Sequence, residues 1–129
     1  MKIANKNLVL IGMRGSGKSA IGKILAETLN YNFIDIDQTI EKNENKTIPE
    51  IVKKYNWKYF RDLESKYTTQ AVEQKNTVIA TGGGVILREK NMRSLGKNSI
   101  IIFIHSPIEQ LAKRIAKDND RPSLTGKTP

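Results

Sequence analysis

The 129-residue chain contains no cysteine, one histidine and one tryptophan, and its acidic residues number 13 against 22 lysines and arginines. Without cysteine there is no disulfide scaffold, no thiol nucleophile and no cysteine-ligated zinc. His105 stands alone, with no second histidine to complete a metal set, and is read as a structural residue at a strand end. Four prolines and nine glycines, with 38% hydrophobic residues, exclude collagen-like and disordered chains. No apolar run approaches the ~20 residues that cross a bilayer, and residues 1–6 lack the apolar stretch of a secretory signal. The expected compartment is the cytoplasm. The scarcity of acid leaves a formal charge of +9, which suits polyanionic partners in general, whether nucleotide, nucleic acid or acidic metabolite.

What is present is a single domain's length of alternating signals, over residues 1–129. Short Ile- and Val-rich runs at Asn7 to Ile11, Asn32 to Ile36, Thr77 to Ala80 and Ser99 to Ile104 read as strands, separated by helical periodicity. That alternation predicts a three-layer α/β/α fold with a parallel sheet and right-handed crossovers. Ile21, Ile24, Leu25, Thr28 and Leu29 mark the expected buried stripe of the first helix, which should end near Asn30. Thr47-Ile48-Pro49-Glu50 is a capping-box start for a helix carrying Ile51, Val52 and Tyr55, with Asn56 closing it. Phe60, Leu63, Tyr67 and Ala71 form the next stripe, with Arg61 and Glu64 on its flank and Trp57 and Tyr59 as packing or pocket-wall residues. A short helix at Glu89 to Leu95 stops at Gly96, and Ser99 to Ile104 reads as a central strand buried on both faces. Ser106 to Glu109 starts a last helix, with Ile108, Leu111, Ala112 and Ile115 facing inward, and loop follows from Asp118.

The strongest chemical signal is Gly12-Met13-Arg14-Gly15-Ser16-Gly17-Lys18-Ser19, which satisfies G-x-x-x-x-G-K-[ST] between a strand and a helix. Glycines let the backbone curl so that N–H groups converge on phosphate oxygens, and the helix start adds partial positive charge. Lys18 is then placed to reach the β and γ phosphates, and Ser19 to ligate Mg²⁺. Arg14 either adds charge or is merely exposed.

Asp35 and Asp37, two apart at the end of the second strand, are expected to leave the sheet on one side, toward the crevice at the strands' carboxyl ends. Asp35 is the candidate to hold magnesium through water, and Asp37 to accept the proton of an attacking hydroxyl or hold that hydroxyl in line. Gly82, Gly83 and Gly84 form either a simple turn or a place where backbone amides meet an acceptor's carboxylate or hydroxyl. The basic pairs Lys53-Lys54 and Lys113-Arg114 have no interleaved aromatic platform and read as solvated helix faces rather than a nucleic-acid stripe.

Taken together, the P-loop GMRGSGKS, Asp35-Ile36-Asp37, Phe60-Arg61-Asp62-Leu63-Glu64, the glycine triplet and Asp120-Arg121-Pro122 resemble the shikimate kinase family in order and spacing along nearly the whole chain. The resemblance implies a P-loop, nucleoside-monophosphate-kinase-like fold that transfers the γ-phosphate of ATP to the 3-hydroxyl of shikimate. That reaction serves chorismate and aromatic amino acid biosynthesis.

Carried over by position, Gly12 to Ser19 with Ala20 bind ATP, with Lys18 on the phosphates. Ser19 holds magnesium, with Asp35 acting through water. Asp37 binds shikimate and assists deprotonation, Arg61 grips its carboxylate, and Gly82 to Gly84 line the acceptor pocket. Arg114 lies beside the adenine unless it is an exposed helix arginine, and Arg121 sits on a lid closing over the phosphates. The implied partners are ATP and shikimate, with neither nucleic acid nor membrane, and the implied state is a monomer.

The sequence departs from that pattern in two ways. Ser123 stands where a leucine is usual after Arg-Pro, and Pro129 falls within the lid, ahead of a further arginine-bearing helix, a fifth strand and a final helix. The expectation is therefore four strands and a short frame of such a kinase. Two other readings remain open: a nucleotide-binding module without catalysis, and a kinase of another small polyol or acid such as gluconate.

Overall fold

The computed structural model describes residues 5–12 and 17–104. Four parallel strands, β1 (Asn7–Gly12), β2 (Asn32–Asp35), β3 (Thr77–Ala80) and β4 (Ser99–Ile104), form one sheet in the order β2-β3-β1-β4. Register is set by pairs such as Val9 with Ile79, Leu10 with Ile102 and Ile34 with Ile79. Five helices accompany them: α1 (Lys18–Leu29), α2 (Ile36–Glu44), α3 (Ile48–Lys54), α4 (Trp57–Val72) and α5 (Glu89–Leu95).

Strand alternation sorts the core into two layers. Leu8, Leu10 and Val78 face α1, where Ala26 and the partly buried Leu25, Leu29 and Phe33 cover them. Val9, Ile11 and Ile79 face the other way, onto Ile36, Ile40, Ile51, Phe60, Leu63 and Leu95 from α2 to α5. Each such side chain taken fully from water is worth ~1.5–3 kcal/mol, so both faces of β1 stabilise the sheet. The α1 connection steps from β1 outward past β3, whereas the later connections step back across the sheet. With crossovers of one hand, opposite steps put helices on opposite faces, and this produces the expected α/β/α layering.

Local chemistry sets the boundaries. Asn30 ends α1 in the left-handed region, φ 57°, and Asn45 does the same for α2, φ 54°. The Thr47–Glu50 capping box forms with both of its hydrogen bonds, but α3 is capped at Tyr55 rather than closed by Asn56, whose Oδ1 accepts from the Tyr59 N–H at 2.7 Å and so starts α4. Deep in the sheet's lower end, the buried Asn7 amide accepts from the Thr77 N–H at 3.1 Å and donates to the Gln74 carbonyl at 2.8 Å. It thereby clamps the α4–β3 connection to β1.

Several expectations are corrected. The stripe of α1 runs through Gly22 and Ala26, while Ile24 is 63% exposed and Ile21 and Thr28 also face outward. The helix lies so close to the sheet that a Cβ on Gly22 would stand 2.5 Å from the Phe33 ring, so small residues occupy the contact. Tyr55 is not part of the core of α3; it is exposed and stacks on Tyr59 with ring centroids 4.1 Å apart. Strand β2 stops at Asp35, and α2 begins at Ile36.

In addition, β4 is not a central strand among the described residues. It lies at the sheet's edge, half-buried, with Phe103 56% exposed. The last helix, the lid and His105 lie outside the described residues.

Candidate active site

Strand β1 delivers the chain to Gly12, and α1 opens at Gly17, whose φ of 88° is a left-handed conformation that suits glycine. Gly17 offers no side chain to cap α1, so the first-turn N–H groups face the mouth of the loop, a ready site for phosphate oxygens. Lys18 reaches back to the end of β1, its Nζ donating to the Gly12 carbonyl at 2.6 Å. Burial lowers its pKa, and the Asp37 and Asp35 carboxylates oppose that shift. A triphosphate brought beside this ammonium would add to the negative charge that favours its protonated form.

Ser19 Oγ donates to Asp35 Oδ2 at 2.5 Å, so the hydroxyl and the carboxylate named as magnesium ligands stand in contact. Asp35 Oδ1 meanwhile accepts from the Gln38 N–H at 3.1 Å, capping α2. The expectation that Asp35 and Asp37 leave one strand on the same side is therefore corrected. Asp35 is a helix cap with extended φ, ψ, and Asp37 lies in the first turn of α2.

This helix was legible: Asp35 followed at the third helical residue by Gln38, with Ile36 and Ile40 one turn apart, is a start signal preceding an apolar stripe. Both aspartates nevertheless face Lys18, because the strand's end aims the helix start into the crevice.

Asp37 is half-buried as a residue, but its Oδ1 is sealed from solvent without a hydrogen-bond partner among the described residues. Burial, with Glu64 and Asp35 nearby, pushes its pKa up to about 7 against the pull of Lys18. On α4, Arg61 and Glu64 do not sit on an open flank. They are 8% and 1% exposed and form an ion pair across one helical turn, Nη1 to Oε1 at 3.2 Å. Burial raises the Glu64 pKa, with Arg61 acting against it.

The guanidinium lies 5.1 Å from the Trp57 ring centroid and 5.3 Å from that of Phe60, which makes Trp57 a wall of this pocket as well as a packing residue. Arg61 Nη2 is buried and unpartnered among the described residues. Sequence reasoning left Glu64 on the flank of its helix. Part of what covers the pair is remote in sequence, with Gly82 against Glu64 and Gly84 against Arg61.

After β3, Thr81 Oγ1 donates to the Leu10 carbonyl at 2.8 Å, and a 3-10 turn at Val85–Leu87 follows the triplet. A Cβ on Gly82 would lie 2.7 Å from Asp37 Oδ1 and 3.1 Å from Glu64 Oε2. A Cβ on Gly84 would overlap Arg61 Nη1, whereas Gly83 is half-buried. The start of α1, two aspartates, triplet and arginine thus share one crevice, with Lys18 toward one end, Asp37 between, and Arg61 toward the other. Such a row suits a polyphosphate donor, a hydroxyl to be deprotonated and a distant anionic group on the acceptor. Among the described residues no cluster of three or more His, Asp or Glu side chains is placed to hold a metal. A nucleotide-borne magnesium needs only one or two protein ligands, which the Ser19 and Asp35 pair fits. Met13, Arg14, Gly15, Ser16, Arg114 and Arg121 lie outside the described residues.

A sequence model of the shikimate kinase family matches residues 14–129. The chain is 43% identical over 119 residues to the shikimate kinase of Persephonella marina, covering 92% of this chain and 73% of that protein. It is 44% identical over 124 residues to the shikimate kinase of Caldanaerobacter subterraneus, covering 96% and 72%. Among solved structures, the shikimate kinase of Acinetobacter baumannii in complex with shikimate superposes with a TM-score of 0.84 at 35% identity. That match covers 92% of this chain, which spans 66% of that kinase's length. Fold, crevice and relatives agree, and the chain belongs to the shikimate kinase family of ATP-dependent phosphotransferases.

Proposed function

We propose that this chain transfers the γ-phosphate of ATP to the 3-hydroxyl of shikimate, a step toward chorismate and the aromatic amino acids. The observation that carries the reading is a pair of buried polar atoms without partners among the described residues. Asp37 Oδ1 lies beside Gly82 and Arg61 Nη2 beside Gly84, at two ends of one glycine stretch. A buried polar group left unpaired costs ~1–3 kcal/mol, and an acceptor bearing both a hydroxyl and a carboxylate would satisfy the two together.

In the proposed reaction, the loop and α1 N–H groups with Lys18 hold the β and γ phosphates, Arg14 and Ala20 flank them, and Arg114 borders the base. Ser19 and Asp35 hold Mg²⁺, which when bound neutralises phosphate charge. Arg61 grips the shikimate carboxylate as a two-pronged donor, and Gly82, Gly83 and Gly84 line the ring. The hydroxyl oxygen forms the new bond to Pγ while the bond from Pγ to the β-phosphate oxygen breaks, and the hydroxyl proton passes to the Asp37 carboxylate. ADP leaves with its bridging oxygen. Arg121, arriving with a lid, would stabilise the transferring group and keep water from competing.

The chain is taken to act as a monomer in the cytoplasm. No described helix is long and apolar enough to cross a membrane. ADP release with MgATP, in the presence and absence of shikimate, tests this reading. Shikimate-dependent release is expected, and gluconate should leave it at background. Release driven equally by gluconate, or ATP binding with no acceptor-dependent release, would replace the reading with one of its two alternatives.

A further inference from the structure

The glycine triplet has two obvious roles, a turn that needs glycine's backbone or a cradle of amides, and neither requires glycine at position 84. Gly84 has φ −95° and ψ 6°, open to any L-residue, and Gly17 is the described glycine with positive φ. What excludes a side chain at 84 is space. A Cβ there would overlap Arg61 Nη1 and stand 2.7 Å from both Cζ and Nη2. The guanidinium is otherwise enclosed: Nη1 donates to Glu64 Oε1 at 3.2 Å and Oε2 at 3.4 Å, and the Trp57 and Phe60 rings flank it. Gly84 stands against a further side with backbone alone.

We propose that Gly84 is a positioning residue: its missing side chain seats the Arg61 guanidinium so that Nη2 is presented to the carboxylate of the acceptor. This rests on the proposed role of Arg61. It assigns to Gly84 an action through Arg61, distinct from any contact of its own amide with the acceptor. Because the atoms in the way belong to the far end of a long side chain, an added methyl displaces the guanidinium rather than the backbone. The fold tolerates the change and the orientation does not.

Gly84→Ala tests this by kinetics, thermal unfolding and the Arg61 side-chain Nε–Hε NMR signal, assigned through Arg61→Lys. The expected result is a shift of that signal, at least a tenfold rise in the shikimate KM, and an ATP KM and Tm close to the parent's. In an Arg61→Ala background, Gly84→Ala should add less than twofold. An unmoved Arg61 signal would overturn the proposal whatever the activity. A moved signal with unchanged shikimate KM, or an undiminished effect in the Arg61→Ala background, would also overturn it. A wild-type protein that does not phosphorylate shikimate would instead sink the proposed function, and the NMR signal would still report whether Gly84 seats Arg61.

Discussion

In its proposed role as proton acceptor, Asp37 is the residue on which stability and chemistry pull in opposite directions. Its carboxyl titrates near 7 in the folded chain because burial and the Glu64 and Asp35 carboxylates disfavour the charge, against an ordinary value of 3.8. Between those two values the folded state holds a proton that the unfolded state has lost. The stability this group contributes is therefore complete below about 4 and disappears as pH rises through about 7. A proton acceptor, by contrast, works when ionised, so turnover should climb with pH through the same range. Asp37→Asn separates the two. It should reduce kcat by ~10² to 10⁴ and leave ATP affinity within a few fold. At pH 8 it should raise Tm by a few degrees, and the gain should vanish by pH 4. Wild-type turnover in the variant, or a gain in Tm that ignores pH, would remove Asp37 from this role.

None of this titration behaviour was legible in Asp35-Ile36-Asp37 as a string. The identity of the two carboxylates and their nearness to the P-loop were. Glu64 lies 27 positions further along, and only the packing of α4 against α2 brings it to Asp37.

Among the elements, α1 shows how close approach can outweigh hydrophobic count. Its apolar residues suggest a stripe through Ile21 and Ile24, yet Gly22 and Ala26 make the contact because the helix axis sits low over the sheet. Gly22→Ala gains ~1 kcal/mol of helix propensity but drives a methyl into the Phe33 ring, and overpacking of that kind costs ~1–3 kcal/mol. The expected outcome is a lower Tm, partly restored by adding Phe33→Leu, as read from denaturation of the two single variants and the double variant. Additive effects would show that the ring is not the obstacle.

Helix ends were the easier part. Thr47 with Glu50 and the asparagine closing α1 act on their immediate neighbours, so their chemistry is written in adjacent letters, whereas Asn56, expected to close α3, starts α4 instead. Helix α2 escaped because Asp35 and Asp37 were assigned to a strand's alternation. The Asp35 cap and the Ile36–Ile40 pair carried the opposite signal.

For the whole molecule, the net charge of +9 admits nucleic acid as readily as nucleotide. The described surface favours the nucleotide, since its basic residues are spread over several helices while the crevice holds the buried, partnerless polar atoms. Ligand linkage distinguishes the two. MgATP at 100 times its Kd stabilises the folded state by ~2.7 kcal/mol, a rise of several degrees in Tm for a chain of this size. That rise should persist in high salt, because the buried crevice is poorly screened, whereas any binding to duplex DNA should fall steeply. A Tm indifferent to MgATP, or a salt-sensitive increase with DNA alone, would favour the nucleic-acid reading.

By itself the sequence determined the alternation of strands and helices and a G-x-x-x-x-G-K-S motif between β1 and α1. Both depend on residues within a few positions of one another. Tertiary structure decided that burial and neighbouring carboxylates push the Asp37 pKa up, that Arg61 and Glu64 form a buried ion pair, and that a Cβ at Gly84 would meet the Arg61 guanidinium. Burial and through-space charge are set by segments tens of residues apart, and their effect exists only once the helices have closed over the sheet.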